Sequence, residues 1–129
     1  MKSLSILLVE DDPDDVELMQ EALESASLEY TMKVINQGDK VISYLETCKN
    51  FPNVIILDLN IPKLHGREVL NLLKTSNHFR SIPVAILTTA SSQKEKEQCI
   101  HAGADTFLTK PSTVDGFNET INAILAIAD

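Results

Sequence analysis

The stretch Val54-Ile55-Ile56-Leu57-Asp58-Leu59-Asn60-Ile61-Pro62 decides the fold of this chain. A short run that is apolar on both faces is typical of a strand buried in a parallel sheet. Asp58 then lies at the carboxyl end of that strand, the edge at which open α/β sheets place their ligands. Pro62 cannot continue a central strand and Gly66 can adopt positive φ, so the chain turns away and leaves the Asp58 carboxylate uncovered. Taken alone, Asp58 is most simply a strand end or a helix cap, so its function must be argued from the other segments.

Four more apolar or β-branched runs predict strands around this stretch: Leu4–Val9, Tyr30–Ile35, 84–87 and 106–108. Apolar residues at helical spacing follow the strands. The residues predicted to face inward are Val16, Met19, Leu23 and Ala26, then Val41, Ile42, Leu45 and Cys48, then Val69, Leu70, Leu72 and Leu73 within 67–75, and finally Phe117, Ile121, Ile124 and Leu125.

Local signals mark where several helices begin and end. Asp12 is predicted to cap the first helix with Pro13 as its first residue, and the acidic first turn suits the helix dipole. The run Ser92-Gln93-Lys94-Glu95 has the Ser-x-x-Glu form of a capping box, and Gly103 is placed to stop that helix. Ser112 is predicted to cap the last helix.

Five strands alternating with five helices predict βαβ units and a parallel sheet covered on both faces, which is a three-layer α/β sandwich. Right-handed crossovers leave few topologies and favour the flavodoxin-like (βα)5 fold with strand order 2-1-3-4-5. At 129 residues, the chain is expected to form one domain, residues 1–129, with no output domain attached.

The composition argues against several classes of function. A net charge of −8 and a pI near 4.8 oppose binding to nucleic acids and anionic membranes, so neither is expected as a partner. Cys48 and Cys99 lack CxxC spacing, which favours two buried thiols in a reducing cytosol. The apolar run that ends before Glu10 is too short for a signal sequence or a membrane span, so the protein is expected to be soluble and cytoplasmic.

Three carboxylates are expected to meet at the carboxyl edge of the sheet. In the predicted order the first and third strands are neighbours, which brings Glu10 and Asp11 beside Asp58. Two carboxylates about 4 Å apart at an effective dielectric of about 20 repel each other by about 4 kcal/mol. Either a pKa rises or a cation binds, and an all-oxygen ligand set selects Mg²⁺ or a similar hard ion. The alternative, a solvated acidic helix start, accounts for the acids within 12–15 but explains Asp58 less well.

The fourth and fifth strands bring a hydroxyl and an ammonium to the same edge. Thr88 follows the fourth strand and Lys110 follows the fifth. A hydroxyl and an ammonium that face a metal-bound carboxylate form an anion site, and a phosphoryl group is the anion best suited to lie beside Mg²⁺. Either residue alone would be structural or solvated, and their convergence with three acids is what indicates function.

These motifs together resemble the receiver domain of bacterial two-component response regulators. The quoted runs span nearly the whole chain: Leu8-Val9-Glu10-Asp11-Asp12, Leu57-Asp58-x-x-x-Pro62-x-x-x-Gly66, Leu87-Thr88 and Phe107-x-x-Lys110-Pro111. Finer features, among them Asp12-Pro13-Asp14-Asp15, are similar to those of stand-alone regulators that partner bacterial phytochromes and related sensor kinases. His65 departs from the pattern, since the family more often has Asp or Asn before the glycine.

The resemblance implies that the chain is a phosphoacceptor and not an enzyme, apart from self-phosphorylation and slow self-dephosphorylation. Asp58 would take a phosphoryl group from a histidine of a sensor kinase or a phosphotransfer protein, which agrees with carboxylate chemistry at phosphorus. The resemblance also implies Mg²⁺ held by Asp11, by Glu10 through water, by Asp58 and by the backbone carbonyl of Asn60, with Lys110 on a phosphoryl oxygen.

The resemblance further implies a conformational switch. Thr88 would move to hydrogen-bond the phosphoryl group, the backbone N–H of Thr89 would add a donor, and the ring of Phe107 would rotate into the vacated space. This is a two-state equilibrium biased by new contacts. The remodelled surface would signal to a protein partner that the sequence does not identify, with the chain either a monomer or a homodimer that forms on phosphorylation.

Two other functions use related features. A haloacid-dehalogenase-type phosphatase also combines a strand-end aspartate, Mg²⁺, a hydroxyl and a lysine, but it needs a second acid where this chain has Asn60. A flavodoxin-type flavin module needs a phosphate-binding loop rich in Ser, Thr and Gly after the first strand, and the chain has an acidic run there.

Overall fold

In the computed structural model, which describes residues 3–89 and 92–129, strands and helices alternate along the chain. The strands in these ranges are β1 (Leu4–Val9), β2 (Tyr30–Ile35), β3 (Val54–Leu57), β4 (Val84–Thr88) and β5 (Thr106–Thr109). The helices are α1 (Pro13–Ser25), α2 (Val41–Thr47), α3 (Gly66–Lys74), α4 (Gln93–His101) and α5 (Val114–Ile127), and a 3-10 turn at Gly38–Lys40 leads into α2.

The strands form one parallel sheet in the order β2-β1-β3-β4-β5, as predicted. In the register of the central strands, Val9 lies opposite Leu57, and Leu57 lies opposite Ile86. Thr88 lies opposite Thr109 at the end of the next pair. The carboxyl ends of β1, β3, β4 and β5 therefore reach the same edge.

Helices cover both faces of the sheet, which confirms the three-layer architecture. On one face α2, α3 and α4 pack on the sheet through Val41, Leu45, Val69, Leu70, Leu73 and Cys99. On the other face α1 and α5 pack through Met19, Ala22, Leu23, Phe117, Ile121 and Ile124. Every residue of β3 is buried, because the strand is covered from both sides.

Two of the predicted helix starts are confirmed. The Asp12 side chain accepts a hydrogen bond from the N–H of Asp14, and Pro13 is the first residue of α1. Ser92 Oγ accepts from the N–H of Glu95 at the start of α4. Both side chains satisfy backbone donors that the helix itself leaves unpaired.

The predicted start of the last helix is wrong by one residue. The cap is Thr113, whose hydroxyl accepts from the N–H of Gly116, and not Ser112. Both Ser and Thr occur at N-caps, with Ser somewhat preferred, so the sequence pattern does not point to Thr113. The choice depends on the backbone, because Thr113 has the extended conformation of a cap directly before the first helical residue.

The buried stripe of several helices is narrower than predicted. Ala26, Leu72 and Leu125 are exposed, and Cys48 is only half-buried at the end of α2, whereas Cys99 is buried as predicted. Each helix docks on a flat sheet and buries only the side chains that point at it, so residues at the margin of the apolar stripe stay in solvent. Among the described helices, none combines the length and the apolar character that crossing a membrane requires.

Candidate functional site

The carboxyl edge of the sheet carries four of the predicted side chains, each at or directly after the end of a different strand. Glu10 follows β1, Asp58 follows β3, Thr88 ends β4, and Lys110 follows β5. Glu10, Asp58 and Thr88 are buried, with 3%, 5% and 1% of their surface exposed. These polar groups are held inside the protein, where hydrogen bonding must compensate for lost hydration.

The Asp58 carboxylate is contacted on both of its oxygens. Oδ1 accepts from the Thr88 hydroxyl at 3.1 Å and from the backbone N–H of Asn60 at 3.2 Å. Oδ2 accepts from the Lys110 ammonium at 2.9 Å. The backbone N–H of Lys110 also donates to the Thr88 carbonyl at 2.6 Å, which fixes the two strand ends to each other. The structure thus brings Asp58, Thr88 and Lys110 together as predicted.

The Lys110 ammonium contacts three carboxylates. Its Nζ lies 2.6 Å from Glu10 Oε1, 2.7 Å from Asp15 Oδ2 and 2.9 Å from Asp58 Oδ2. An ammonium has three N–H donors, so three carboxylates are as many as it can pair with at once. The sequence reading that left Asp15 in solvent is wrong: its carboxylate is directed from the first turn of α1 onto the lysine.

Burial and the neighbouring charges change the proton affinity of Glu10 and Lys110. Burial raises the pKa of Glu10 to about 7, with the Asp58 charge adding to the rise and the hydrogen bond from Lys110 opposing it. Burial alone would lower the pKa of Lys110, but hydrogen bonds to Asp15, Glu10 and Asp58 outweigh it and raise that pKa above its usual range. The ammonium therefore stays charged, and the carboxylates around it outnumber it.

Glu10, Asp11 and Asp58 form a group that can hold a cation. Each offers a carboxylate oxygen, and these oxygens all lie within 4.8 Å of one another. The donors are hard oxygens of net negative charge, which fits Mg²⁺ or Mn²⁺. Glu10 Oε2 also accepts from the backbone N–H of Asp11 at 3.1 Å, so this corner is already ordered. The backbone carbonyl of Asn60 stays a predicted ligand. The contact that the structure shows for Asn60 is made by its N–H, which donates to Asp58 Oδ1.

Two glycines hold the loop between β3 and α3 against the sheet. The Gly66 N–H donates to the Leu59 carbonyl at 2.8 Å, and a Cβ at Gly66 would collide with the Asp58 carbonyl. The Gly38 N–H donates to the Pro62 carbonyl at 3.1 Å, and a Cβ there would collide with the carbonyl of the loop residue 64. The loop after Asp58 is therefore closely packed at two points, by Gly66 near Asp58 and by Gly38 near its far end.

His65 caps α3 at the end of this loop. Its Nδ1 accepts from the N–H of Arg67 at 3.1 Å, which is the task that Asp or Asn performs at helix starts. Sequence reasoning noted the unusual residue but missed its role, although its position directly before the helix indicated a cap.

The remaining predicted residues lie beside the site. Phe107, in β5, is half-buried against the core on the face of α2, α3 and α4. Thr89 is exposed directly after β4. Their predicted parts in a switch depend on a second conformation and stay predictions.

The arrangement combines a carboxylate nucleophile, an adjacent ammonium, a hydroxyl donor and a cluster of acids suited to a divalent cation. A carboxylate can attack phosphorus when charge on the transferred group is neutralised by such partners. The chemistry that this edge suits is transfer of a phosphoryl group to Asp58.

Comparisons with known proteins agree with this geometry. The family model of the response regulator receiver domain matches residues 6–122. Response regulator Rcp1 of Synechocystis sp. is 31% identical over 124 residues, which cover 92% of this chain and 84% of that protein. The crystal structure of the phosphorylated cyanobacterial phytochrome response regulator RcpA is similar with a TM-score of 0.87 at 27% identity, covering 99% of this chain and 98% of that one. The Mn²⁺-bound form of Rcp1 gives a TM-score of 0.83 at 30% identity over 95% and 92%.

Proposed function

The chain belongs to the response regulator receiver domain family, and on this premise we propose that Asp58 accepts a phosphoryl group in a phosphorelay. The donor is a phosphohistidine of a sensor kinase or of a histidine phosphotransfer protein. A carboxylate oxygen of Asp58 forms the new bond to phosphorus while the bond between phosphorus and the donor nitrogen breaks. The product is an aspartyl phosphate, and the donor histidine leaves with its nitrogen lone pair.

One observation carries the proposal: the Asp58 carboxylate contacts the Lys110 ammonium, 2.9 Å from Oδ2, and also belongs to the acidic cluster with Glu10 and Asp11. Lys110 can follow the incoming group and pair with a phosphoryl oxygen. A divalent cation in the cluster would supply neutralisation of the remaining phosphoryl charge. Asp11, which is exposed, would bind the cation directly, with Glu10 through water, Asp58 and the Asn60 carbonyl as the other protein ligands.

Thr88 is placed to couple phosphorylation of Asp58 to a change of conformation. Its hydroxyl already contacts Asp58 and is therefore within reach of a phosphoryl group carried there. We expect the Thr89 N–H to add a donor, and the Phe107 ring to turn further inward as the residues around it rearrange. The new contacts shift the population between two conformations and alter the surface of α4, β5 and α5 for a partner protein.

The relatives suggest the kind of kinase. Phytochrome response regulators are among the similar structures, RcpA and the bacteriophytochrome response regulator AtBRR among them. A sensor histidine kinase of the phytochrome class is therefore the proposed phosphodonor. The oligomeric forms compatible with the proposal are a monomer and a homodimer that forms on phosphorylation.

The test is to incubate the protein with acetyl phosphate and Mg²⁺ and to weigh it intact. We expect one phosphoryl group per chain, lost on mild base treatment as an acyl phosphate is. The variant Asp58→Asn should take up none, because an amide oxygen cannot form the aspartyl phosphate. Asp39→Asn, which changes an exposed carboxylate in the 3-10 turn, is the matched control and should be labelled normally.

Three outcomes would contradict the proposal. Labelling of the Asp58→Asn variant would move the acceptor elsewhere. Full labelling in excess chelator would show that the reaction does not require a divalent cation. Sustained hydrolysis of a phosphate monoester, with many turnovers per chain, would favour the phosphatase alternative.

A further inference from the structure

Asp15 is the one partner of the Lys110 ammonium that lies outside the cation cluster, among the described residues. We propose, resting on the function proposed above, that Asp15 is a positioning residue that holds the Lys110 ammonium aside so that Glu10 and Asp58 can bind a divalent cation. It touches neither the phosphoryl group nor the cation and acts through the lysine. Replacing Asp15 is therefore expected to weaken binding of the cation.

The argument begins with two overlapping sets of contacts. Lys110 contacts Glu10, Asp15 and Asp58, whereas the cation cluster consists of Glu10, Asp11 and Asp58. The ammonium and the cation therefore compete for Glu10 and Asp58. When a cation takes these two carboxylates, Asp15 is the partner left to the lysine.

Electrostatic repulsion by the Lys110 ammonium opposes binding of the cation. An ammonium close to a divalent cation repels it, and the repulsion is strong in a buried site of low effective dielectric. The Lys110 side chain is 8% exposed, so water screens it weakly. A carboxylate 2.7 Å from Nζ that does not bind the cation offsets this repulsion and keeps the ammonium within reach of Asp58.

The position of Asp15 on α1 suits this role. It is the third residue of the helix, in a first turn where the helix dipole favours acids, and its side chain is 23% exposed. Asp14 precedes it in the same turn, is exposed, and forms no ion pair within the described residues. The neighbouring acid therefore gives a control with the same charge in the same helical turn but without the contact to the lysine.

The experiment titrates Mg²⁺ alone into the unphosphorylated protein by isothermal titration calorimetry. We expect Asp15→Ala to weaken Mg²⁺ binding about tenfold, as loss of a close charge in a weakly screened site predicts. Asp15→Asn keeps an oxygen that can accept from the ammonium and should give an intermediate loss. Asp14→Ala should stay within about twofold of the wild type, because its charge is exposed and screened.

A second arm separates positioning from a general charge effect. In a Lys110→Met background the competitor is gone, so adding Asp15→Ala should change Mg²⁺ affinity no more than Asp14→Ala does. In labelling by acetyl phosphate, Asp15→Ala should raise the Mg²⁺ concentration for half-maximal rate while saturating Mg²⁺ restores most of the rate. A purely structural role would not shift the half-maximal concentration in this way.

The inference is overturned if Asp15→Ala binds Mg²⁺ like Asp14→Ala, or if its loss persists in the Lys110→Met background. Thermal unfolding checks that each variant is folded, and Asp15→Asn carries the test if Asp15→Ala is not. Failure of the proposed function looks different: the wild type would bind Mg²⁺ and respond to these variants but would take up no phosphoryl group.

Discussion

Two lysines at opposite edges of the sheet each contact three oxygens, and the charge of those oxygens differs. Lys74 Nζ lies 3.1 Å from the Arg80 carbonyl, 2.9 Å from the Ile82 carbonyl and 3.1 Å from Asp105 Oδ2. At the other edge, all three oxygens around Lys110 belong to carboxylates. The number of contacting oxygens is the same, but the net charge of those oxygens is not.

The difference separates a site whose charges balance from one that carries surplus negative charge. Lys74 and Asp105 neutralise each other, and Asp105 Oδ2 also accepts from the Val84 N–H at 2.8 Å, so this group ties α3 to the starts of β4 and β5. At the carboxyl edge one ammonium faces Glu10, Asp15 and Asp58, with Asp11 beside them. A surplus of carboxylates in a buried place is costly unless one of them is protonated or a further cation binds, so we expect this edge to favour cation binding.

The largest difference is expected when each lysine is replaced by methionine, which keeps the length of the side chain and removes its charge. Lys110→Met should slow labelling by acetyl phosphate at least about 100-fold, because the transferred group loses a preorganised charge partner. Lys74→Met should be labelled at the wild-type rate at a temperature where it is folded. Intact mass measured over time gives both rates. Similar rates for the two variants would contradict the prediction that only the lysine at the carboxyl edge assists labelling.

The next largest effect is expected on the free energy of unfolding when a cation binds. If the carboxyl edge binds a divalent cation, Mg²⁺ at 100 times its dissociation constant should raise the free energy of unfolding by about 2.7 kcal/mol, and chelator should reverse the gain. Asp11→Ala should lose most of this gain, whereas Lys74→Met should keep it. Urea unfolding with and without Mg²⁺ measures the change, and equal gains for the wild type and Asp11→Ala would place the cation elsewhere.

The smallest effect concerns the edge that holds Lys74. Lys74→Met should lower the free energy of unfolding by about 2 kcal/mol, because two carbonyls and a carboxylate lose their donor. The loss is limited because the Asp105 side chain is 41% exposed, so water can replace part of the interaction. Urea unfolding at fixed Mg²⁺ gives the value. An unchanged midpoint and slope would show that the lysine at this edge contributes little to stability.

Several features were predictable because each depends on residues close together in the sequence. Apolar runs predicted β1 and β2 at their observed bounds, and the residues at strand ends predicted that Asp58, Thr88 and Lys110 would meet. Parallel strands bring their carboxyl ends to one edge, so a residue placed by its strand is also placed in space. The predicted caps Asp12 and Ser92 were right for the same local reason.

The contact between Asp15 and Lys110 was missed because three acids crowd the start of α1. The signal was present in the helical spacing: Asp15 lies four residues before Met19, which is buried, so both occupy the inward face of the helix. Reading the acids as one solvated group hid that difference. Helical position must be considered for charged residues as well as for apolar ones.

The sequence by itself determined the order of strands and helices, the parallel sheet and the edge at which the polar residues collect, because these follow from the periodicity of neighbouring residues and from the handedness of crossovers. The tertiary structure alone decided which carboxylates share the lysine, that Thr113 caps α5, and that Leu72 and Leu125 stay exposed. The reason is one of distance. An ion pair between Asp15 and Lys110, 95 positions apart, depends on how a helix is rotated against the sheet, and a local pattern does not specify that rotation.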